Sequence, residues 1–254
     1  MAHRVRQPAA PRARLPVRLL RQEEREPPHH HEEEGLKLEL DAGEGESEEL
    51  WPLFDALAIA CGGHAGDRAS MRRVVAFCAS HDIEIGAHPS YVDRESFGRR
   101  SVSVDPNELE KQIHAQCASL ARIAIDLGMR ARFVKPHGAL YHDAARDPAL
   151  AAAVIDGAVR ALGRVAVLGP SWGTPALEAV AKARGLSYWR EGFADRAIRA
   201  DGSLVPRSEP GALIHDPPAA ATQARALAGK VDAICIHGDS PNALAIARAV
   251  RAVV

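Results

Sequence analysis

Residues 132–168 contain one complete unit of the fold and read RFVKPHGALYHDAARDPALAAAVIDGAVRALGRVAVL. The run Arg132–Lys135 has the length of a buried strand, and the polar stretch KPHGALY begins where it ends. Asp147, followed by a proline, is typical of a helix start, and Gly163 is suited to end that helix. A second apolar run covers Val165–Leu168. The order strand, helix, strand predicts a parallel sheet with helices outside it.

The same pattern recurs along the chain. Further helix starts are predicted where a capping oxygen precedes a proline, at Asp105, Thr174, Asp216 and Ser240. The predicted strands are Leu36–Leu40, Ala56–Ala60, Ile83–Ala87, Arg132–Lys135, Val165–Leu168, Leu186–Arg190 and Ala233–Ile236. One such series in about 220 residues favours an α/β fold, a TIM-like (β/α) barrel that is seven-stranded or distorted. An open doubly wound sheet is the alternative, although no GxGxxG fingerprint follows the first strand.

Composition excludes several classes of protein. The 254 residues are 46% hydrophobic and 26% charged, as in an ordinary globular protein. The net charge of -1 argues against a polyelectrolyte that binds nucleic acid. No apolar run approaches the roughly 18 residues that span a bilayer. The four cysteines stand far apart without a CxxC pair, which indicates a reducing, cytoplasmic setting.

The first 35 residues differ from the rest. Residues 1–22 carry six arginines and no acid. We interpret residues 1–35 as a disordered extension or an upstream mis-start of translation, since a transit peptide would be richer in serine. The run His29–His31 is suited only to adventitious metal binding, because nothing preorganises it. Residues 36–254 are predicted to form a single catalytic barrel domain.

Most predicted strands run directly into polar residues. These clusters are Asp41–Gly45, Cys61–Asp67, His88–Ser90, Lys135–Tyr141, Asp195–Arg196 and His237–Asp239. In a parallel barrel the carboxyl ends of all strands lie on one face, so the clusters are expected to share one mouth.

Each of these residues also has a structural explanation when taken alone. Asp67 is suited to cap the helix that follows it, and Asp41 and Glu44 fit a glycine-rich turn. Arg99 fits a solvated charge pair with its neighbour, and Cys235 fits the packing of an apolar strand. Four histidines at four strand ends are harder to explain by packing, and this conjunction favours an active site.

The chemistry of the set suits hydrolysis. A carboxylate or a neutral histidine can take a proton from water, and lysine or arginine can hold an anionic group. Alternatively, Asp41, His64 and His137 bind a divalent metal that acidifies water. The sequence contains neither a GxxxxGK[ST] loop for ATP nor the GxSxG elbow of serine hydrolases.

From about Leu36 to Val254 the chain resembles the LamB/YcsF family. The matching stretches are LELDAGEG (38–45), IACGGHAGD (59–67), IGAHPSYVDRESFGRR (85–100), VKPHGALYHDAA (134–145), EGFADRAIRADGSLVPRSEPGALI (191–214) and CIHGD (235–239). The resemblance implies a TIM-like barrel of the glycoside hydrolase/deacetylase type. It also implies ATP-dependent hydrolysis of 5-oxo-L-proline to L-glutamate in a complex with B and C subunits, which handle ATP and its Mg²⁺.

The motif matches carry site residues over to this chain. Predicted catalytic residues are Asp41, Glu44, His64, Asp67, His88, Lys135, His137, His237 and Asp239. Predicted substrate-binding residues are Arg99, Tyr141, Asp195, Arg196 and Arg207.

The chain departs from the family pattern at three motif positions and in one segment. Glu39 and Ala42 stand where the first motif has Asn and Leu, Gly63 stands where the second has Phe, and the segment between Ile214 and Cys235 is shorter than is common in the family. These departures could alter the charge or size of the site. The alternatives are a stand-alone metal-dependent hydrolase or deacetylase and a noncatalytic subunit that binds a small acid. Homo-oligomer formation stays open.

Overall fold

Seven parallel strands close into a barrel, and β7 pairs with β1 to complete it. The computed structural model describes residues 35–254, so the predicted extension and its histidine run lie outside the described residues, apart from Gly35. The strands are β1 Lys37–Ala42, β2 Ala56–Ala60, β3 Glu84–His88, β4 Phe133–Val134, β5 Ala166–Pro170, β6 Tyr188–Phe193 and β7 Ala233–Ile236. The predicted seven-stranded TIM-like barrel is confirmed, and closure excludes the open sheet.

Helices connect the strands on the outside of the barrel. They are α1 Arg68–His81, α2 Pro106–Asp126, α3 Gly138–Arg146, α4 Pro148–Leu162, α5 Ala176–Ala183, α6 Pro217–Leu227 and α7 Ala243–Arg251, with a short 3-10 helix at Trp51–Leu53. None of these helices is both long and apolar enough to cross a membrane.

Helix capping follows the sequence prediction in three of the five cases. Asp105, Asp147 and Asp216 accept hydrogen bonds from backbone N–H groups in the first turns of α2, α4 and α6. The starts predicted at Thr174 and Ser240 are wrong by one and two residues. Pro175 is still extended at the boundary of α5, and a turn beginning at Ser240 delays α7.

The core has two parts. Outward-facing strand residues such as Leu38, Leu40 and Ile59 pack against the helices in one large cluster. Inside the barrel, Phe133 and Leu168 form a smaller apolar cluster with buried alanines. This inner cluster fills the lower barrel, so the site lies above it, toward the carboxyl ends of the strands.

Candidate active site

Inward-facing residues alternate along the strands, and the alternation continues beyond the strand ends. From β4 these residues are Phe133, Lys135 and His137, and from β7 they include Cys235 and His237. Because side chains of a strand alternate between its two faces, every second residue points into the barrel. Moving up the barrel, the lining changes from apolar to charged and then to histidine.

Lys135 lies at the charged level, buried among acidic side chains. Its Nζ donates to Asp41 Oδ1 at 2.7 Å and to Glu39 Oε2 at 2.8 Å. Glu191 Oε1 forms an ion-pair contact at 2.8 Å, and Cys235 Sγ lies at 3.3 Å. Burial alone would lower the pKa of Lys135, but these neighbours, Asp41 foremost, raise it well above its usual value. Lys135 is therefore a fixed positive charge.

The two carboxyls on β1 respond differently to this setting. Burial raises the pKa of Glu39 well above its ordinary value, although the charge of Lys135 acts against this shift. Burial acts the same way on Asp41, but the positive charges of His88 and Lys135 outweigh it and lower the pKa of Asp41 well below its usual value. Asp41 is the ionised partner of Lys135.

Above this level three histidines surround the carboxylate of Glu44. Glu44 Oε1 lies 2.7 Å from His64 Nε2, 3.3 Å from His137 Nδ1 and 3.6 Å from His88 Nε2. The His64 and His137 rings are stacked with centroids 3.6 Å apart, and His88 lies edge-on to both. The three rings are buried. Four distant stretches of sequence thus meet at one point.

The pKa values in this cluster are shifted by burial and by the neighbouring charges. Burial lowers the pKa of His64 to about 4 and also lowers that of His137, so both rings are neutral. Burial would lower the pKa of His88 too, but Asp41 raises it above its ordinary value. Hydrogen bonds from His137 and His64 overcome burial and keep the pKa of Glu44 far below its usual range.

His237 and Asp195 form a separate pair beside this cluster. Asp195 Oδ2 accepts from the backbone N of His237 at 2.8 Å and from its Nδ1 at 3.0 Å. Burial would raise the pKa of Asp195, but the charge and hydrogen bonds of His237 lower it. In the neutral form of the ring, with Nδ1 held as a donor, the lone pair is on Nε2, which lies 3.9 Å from Asp41 Oδ2. This arrangement is typical of a general base oriented by a carboxylate.

Arginines and an aspartate lie at the rim. Asp239 Oδ2 accepts from Arg99 at 2.9 Å and from Arg207 at 2.7 Å. Arg196 is buried and donates to Val205 O at 2.8 Å, and burial lowers its pKa to about 10. The rim therefore concentrates positive charge beside the histidines.

Tyr141 lies deeper than its predicted substrate-binding role requires. It is buried and packs edge-on against Phe193, and burial together with the neighbouring Glu191 raises the pKa of its hydroxyl.

A cavity of about 100 Å³ opens between these groups. Its lining includes Asp41, Glu44, Phe97, His237 and Asp239. Pockets for drug-sized ligands run to roughly 300–1,000 Å³, so this cavity suits a small polar molecule.

Asp67 lies at the surface, at the start of α1. Its side chain is exposed and accepts from Ser70 N at 2.8 Å, capping α1. The structure therefore gives the aspartate that ends the second motif a structural role as the N-cap of α1, and its catalytic role stays a prediction. Gly63 does not enlarge the cavity, because a Cβ there would lie 2.4 Å from Ser90 Oγ and 2.5 Å from Gln116 Oε1.

Two residues that position the site were not predicted from the sequence. Glu46 Oε1 accepts from Gly43 N and Trp51 Nε1, and its Oε2 accepts from Glu44 N, all at 2.8 Å. Phe97 has a positive φ of 54° and offers its carbonyl to His137. The second acid of the GEGE stretch was the available signal for Glu46.

Gly98 allows the loop that contains Phe97 to approach the histidines. Its φ is 63°, and a Cβ at this position would lie 2.9 Å from His64 Cβ and 3.1 Å from His137 Cδ2. Only glycine combines this left-handed backbone with so close an approach.

The sequence profile of the LamB/YcsF family matches residues 39–254, which include every strand of the barrel except the start of β1. The chain belongs to the LamB/YcsF family. A protein of Symbiobacterium thermophilum, named as the A subunit of 5-oxoprolinase, is 41% identical over 237 residues, covering 85% of this chain and 90% of that protein. A protein of the same name from Chromohalobacter salexigens is 40% identical over 226 residues, covering 82% and 89%.

A solved structure shows the same fold for another protein. The crystal structure of the lactam utilization protein from Thermus thermophilus superposes with a TM-score of 0.78 at 32% identity. The match covers 86% of this chain and 95% of the other. The seven-stranded barrel is thus similar to one already observed for a lactam utilization protein.

Proposed function

We propose that this chain is the A subunit of an ATP-dependent 5-oxoprolinase, which hydrolyses the lactam of 5-oxo-L-proline to L-glutamate. The observation that carries the proposal is a small polar cavity, lined by His237 and Asp41, in a chain 41% identical to a protein of that name. Residues 36–254 are the catalytic domain in this proposal.

The chemistry explains why ATP is needed. A lactam is a resonance-stabilised amide and a poor electrophile, and phosphorylation of its oxygen makes its carbon easier to attack. The chain has no GxxxxGK[ST] loop, so we assign ATP and its Mg²⁺ to the B and C subunits. This chain then opens the activated ring: water adds at the ring carbon, and the C–N bond breaks with the nitrogen leaving as the protonated amine, which gives γ-glutamyl phosphate. A second water then displaces inorganic phosphate and leaves L-glutamate. Because it uses ATP, we place the complex in the cytoplasm.

His237 is our candidate for the general base. Its Nδ1 is held by Asp195, and its Nε2 faces the cavity, where it can accept a proton from water. Arg99 and Arg207 lie at the rim, where they can bind the substrate carboxylate or the phosphate once Asp239 releases them.

A stand-alone metal-dependent hydrolase is the second candidate, favoured by the histidines around Glu44. The two candidates differ in what activity requires. The proposed 5-oxoprolinase component needs ATP and its partners, whereas a stand-alone hydrolase needs neither.

The test is coexpression of this chain with candidate B and C subunits, followed by an assay of glutamate release from 5-oxo-L-proline. We expect release only with ATP, its loss in His237→Ala, and its retention in His81→Ala, an exposed histidine at the far end of α1. Release without ATP by this chain alone would support the second candidate. Full turnover with His237→Ala would show that His237 is not catalytic and would support a noncatalytic binding role.

A further inference from the structure

Four ligand atoms from the histidine cluster converge on one point. One ligand atom from each of Glu44, His64, His88 and His137 lies within 4.8 Å of the other three. The contacts to Glu44 Oε1 come from His64 Nε2, His88 Nε2 and His137 Nδ1. We propose that these four atoms bind one divalent transition-metal ion such as Zn²⁺. The positions of the four side chains define the site, and only the role of the metal in ring opening rests on the proposed function.

Backbone carbonyls fix which nitrogens of two rings carry a proton. His88 Nδ1 lies 2.8 Å from Lys135 O, and His137 Nε2 lies 3.0 Å from Phe97 O. A carbonyl only accepts, so both of these nitrogens are donors. In metal sites, ligating histidines are held in the same way by carbonyls or carboxylates behind the ring.

The remaining nitrogens of the two rings face each other. His88 Nε2 and His137 Nδ1 are 2.9 Å apart, and neither is the nitrogen that donates to a backbone carbonyl. Both nitrogens are thus turned toward the same point as the carboxylate of Glu44. Glu44 supplies a negative charge 3.3 and 3.6 Å from these two nitrogens, which favours a cation at this position.

The spacing and the donor types suit zinc. With metal–ligand bonds of about 2.0 Å, adjacent donors of a tetrahedral site lie about 3.3 Å apart. The contacts from Glu44 Oε1 to the three histidines run from 2.7 to 3.6 Å. Imidazole and carboxylate are ligands that Zn²⁺ binds readily.

Asp41 is outside this ligand set, although the sequence suggested it as a ligand. Its Oδ1 lies 3.3 Å from His88 Nε2 but only 2.7 Å from Lys135 Nζ. The ammonium group thus competes for that oxygen. Glu44 is the carboxylate ligand in place of Asp41.

The site adjoins the cavity, since Glu44 also lines it. A divalent ion held there would polarise a water or the ring oxygen of the proposed substrate by taking that oxygen as a fifth ligand. That location gives the proposed ring opening a second source of electrostatic assistance, besides the rim arginines.

The test is Zn²⁺ titration of the full-length, chelator-treated chain by calorimetry, with metal content measured after dialysis. The matched control replaces His29, His30 and His31 by alanine, because this run could bind Zn²⁺ on its own. We expect one tight equivalent in the natural chain and in that control, and its loss in His64→Ala and in His137→Ala. Circular dichroism checks that each variant is folded. Co²⁺ absorption spectra of the natural chain report nitrogen ligation without any substitution.

Three results would overturn the inference. These are no tight equivalent in the natural chain, loss of the equivalent with the His29–His31 control, and retention of it in folded His137→Ala. A proton shared between His88 and His137 would then account for their contact. The proposed function can fail separately from the metal site. Zn²⁺ binding by the chain without glutamate release by the complex would support the metal site and contradict the 5-oxoprolinase proposal. Glutamate release by a complex whose chain binds no metal would support the 5-oxoprolinase proposal and contradict the metal site.

Discussion

The ammonium group of Lys135 lies 2.7 Å from Asp41 Oδ1, in the interior of the barrel and shielded from solvent. Carboxyl oxygens of Glu39 and Glu191 also lie 2.8 Å from this ammonium group, so one cation contacts three carboxyl groups. We expect Lys135→Met to lower the free energy of unfolding by about 3–5 kcal/mol, because removal of one partner leaves buried charge unpaired. Urea denaturation followed by circular dichroism measures this loss.

Glu39→Gln is the matched control for that prediction. Burial raises the pKa of Glu39, which favours the neutral form, and glutamine has nearly the same shape as a neutral glutamic acid. We expect this variant to change the unfolding free energy by no more than about 1 kcal/mol. Equal losses in Lys135→Met and Glu39→Gln would mean that the charge of Glu39 contributes to stability as much as that of Lys135.

Asp195 fixes the tautomer of His237, and the exchange of its carboxylate for an amide tests this role. An asparagine can turn its NH₂ toward Nδ1, which favours the tautomer with the proton on Nε2 and removes the base. We expect Asp195→Asn to lower kcat of the assembled complex by about 10²–10⁴-fold with little change in KM. Asp201→Asn, in an exposed loop, serves as the control. A change in KM alone, with kcat unaltered, would show that Asp195 only shapes the pocket.

The barrel could be predicted because its signals are local. Prolines after capping aspartates mark α2, α4 and α6, and short apolar runs mark the strands. Only β6 is clearly displaced, from the predicted Leu186–Arg190 to Tyr188–Phe193. The shift occurs because Glu191 is buried inside the barrel beside Lys135, and a charged residue is usually taken as the end of a strand.

The site could be predicted only in part, because its contacts join residues far apart in sequence. The topology of a parallel barrel predicts that the strand ends share one mouth. Asp41, His88 and His137 do lie together there. Which carboxylate turns to Lys135 and which to the histidines depends on distances between loops. Neither pattern nor composition encodes those distances, so Glu44 and Asp41 could not be told apart.

The sequence motif alone also could not reveal the role of Asp67. Its replacement tests whether it only caps a helix. The motif around it has the appearance of a site, yet its carboxylate is bonded to the first turn of α1. We expect Asp67→Ala to lower the melting temperature, since a helix cap is lost, and to leave kcat of the complex unchanged. Loss of kcat in a folded Asp67→Ala protein would support the predicted catalytic role of Asp67.

The Asp55–Arg251 ion pair connects the loop before β2 to the end of α7 and predicts a pH effect on stability. Asp55 also accepts from Leu38 N at 2.8 Å, and Arg251 Nη1 donates to it at 2.9 Å. Burial would raise the pKa of Asp55, but the hydrogen bonds from Arg251 and Leu38 lower it below its usual value. The unfolded state therefore takes up a proton first as the pH falls.

The stabilisation from this pair is complete above the unfolded pKa of about 3.9 and disappears as the pH falls through the lower folded value. Both side chains are partly exposed, so we expect about 1 kcal/mol or less. The measurement is the difference in unfolding free energy between the natural chain and Asp55→Asn from neutral to acid pH. A difference that does not shrink below pH ~4 would contradict this account.

Glu46 holds the loop that carries Glu44, and its replacement tests how far the site depends on that loop. Its two oxygens accept three hydrogen bonds, from the backbone of Gly43 and Glu44 and from the indole of Trp51. Glu46→Gln replaces one acceptor oxygen by a donor NH₂, so at least one of these N–H groups loses its partner. The loop must then shift, and misplacement of a reacting group by about 1 Å can cost about 10²-fold in rate. We expect a loss of that order in kcat of the complex, while Glu48→Gln, an exposed neighbour paired with Arg73, retains full turnover. Equal turnover in the two variants would mean that Glu44 keeps its position without this support.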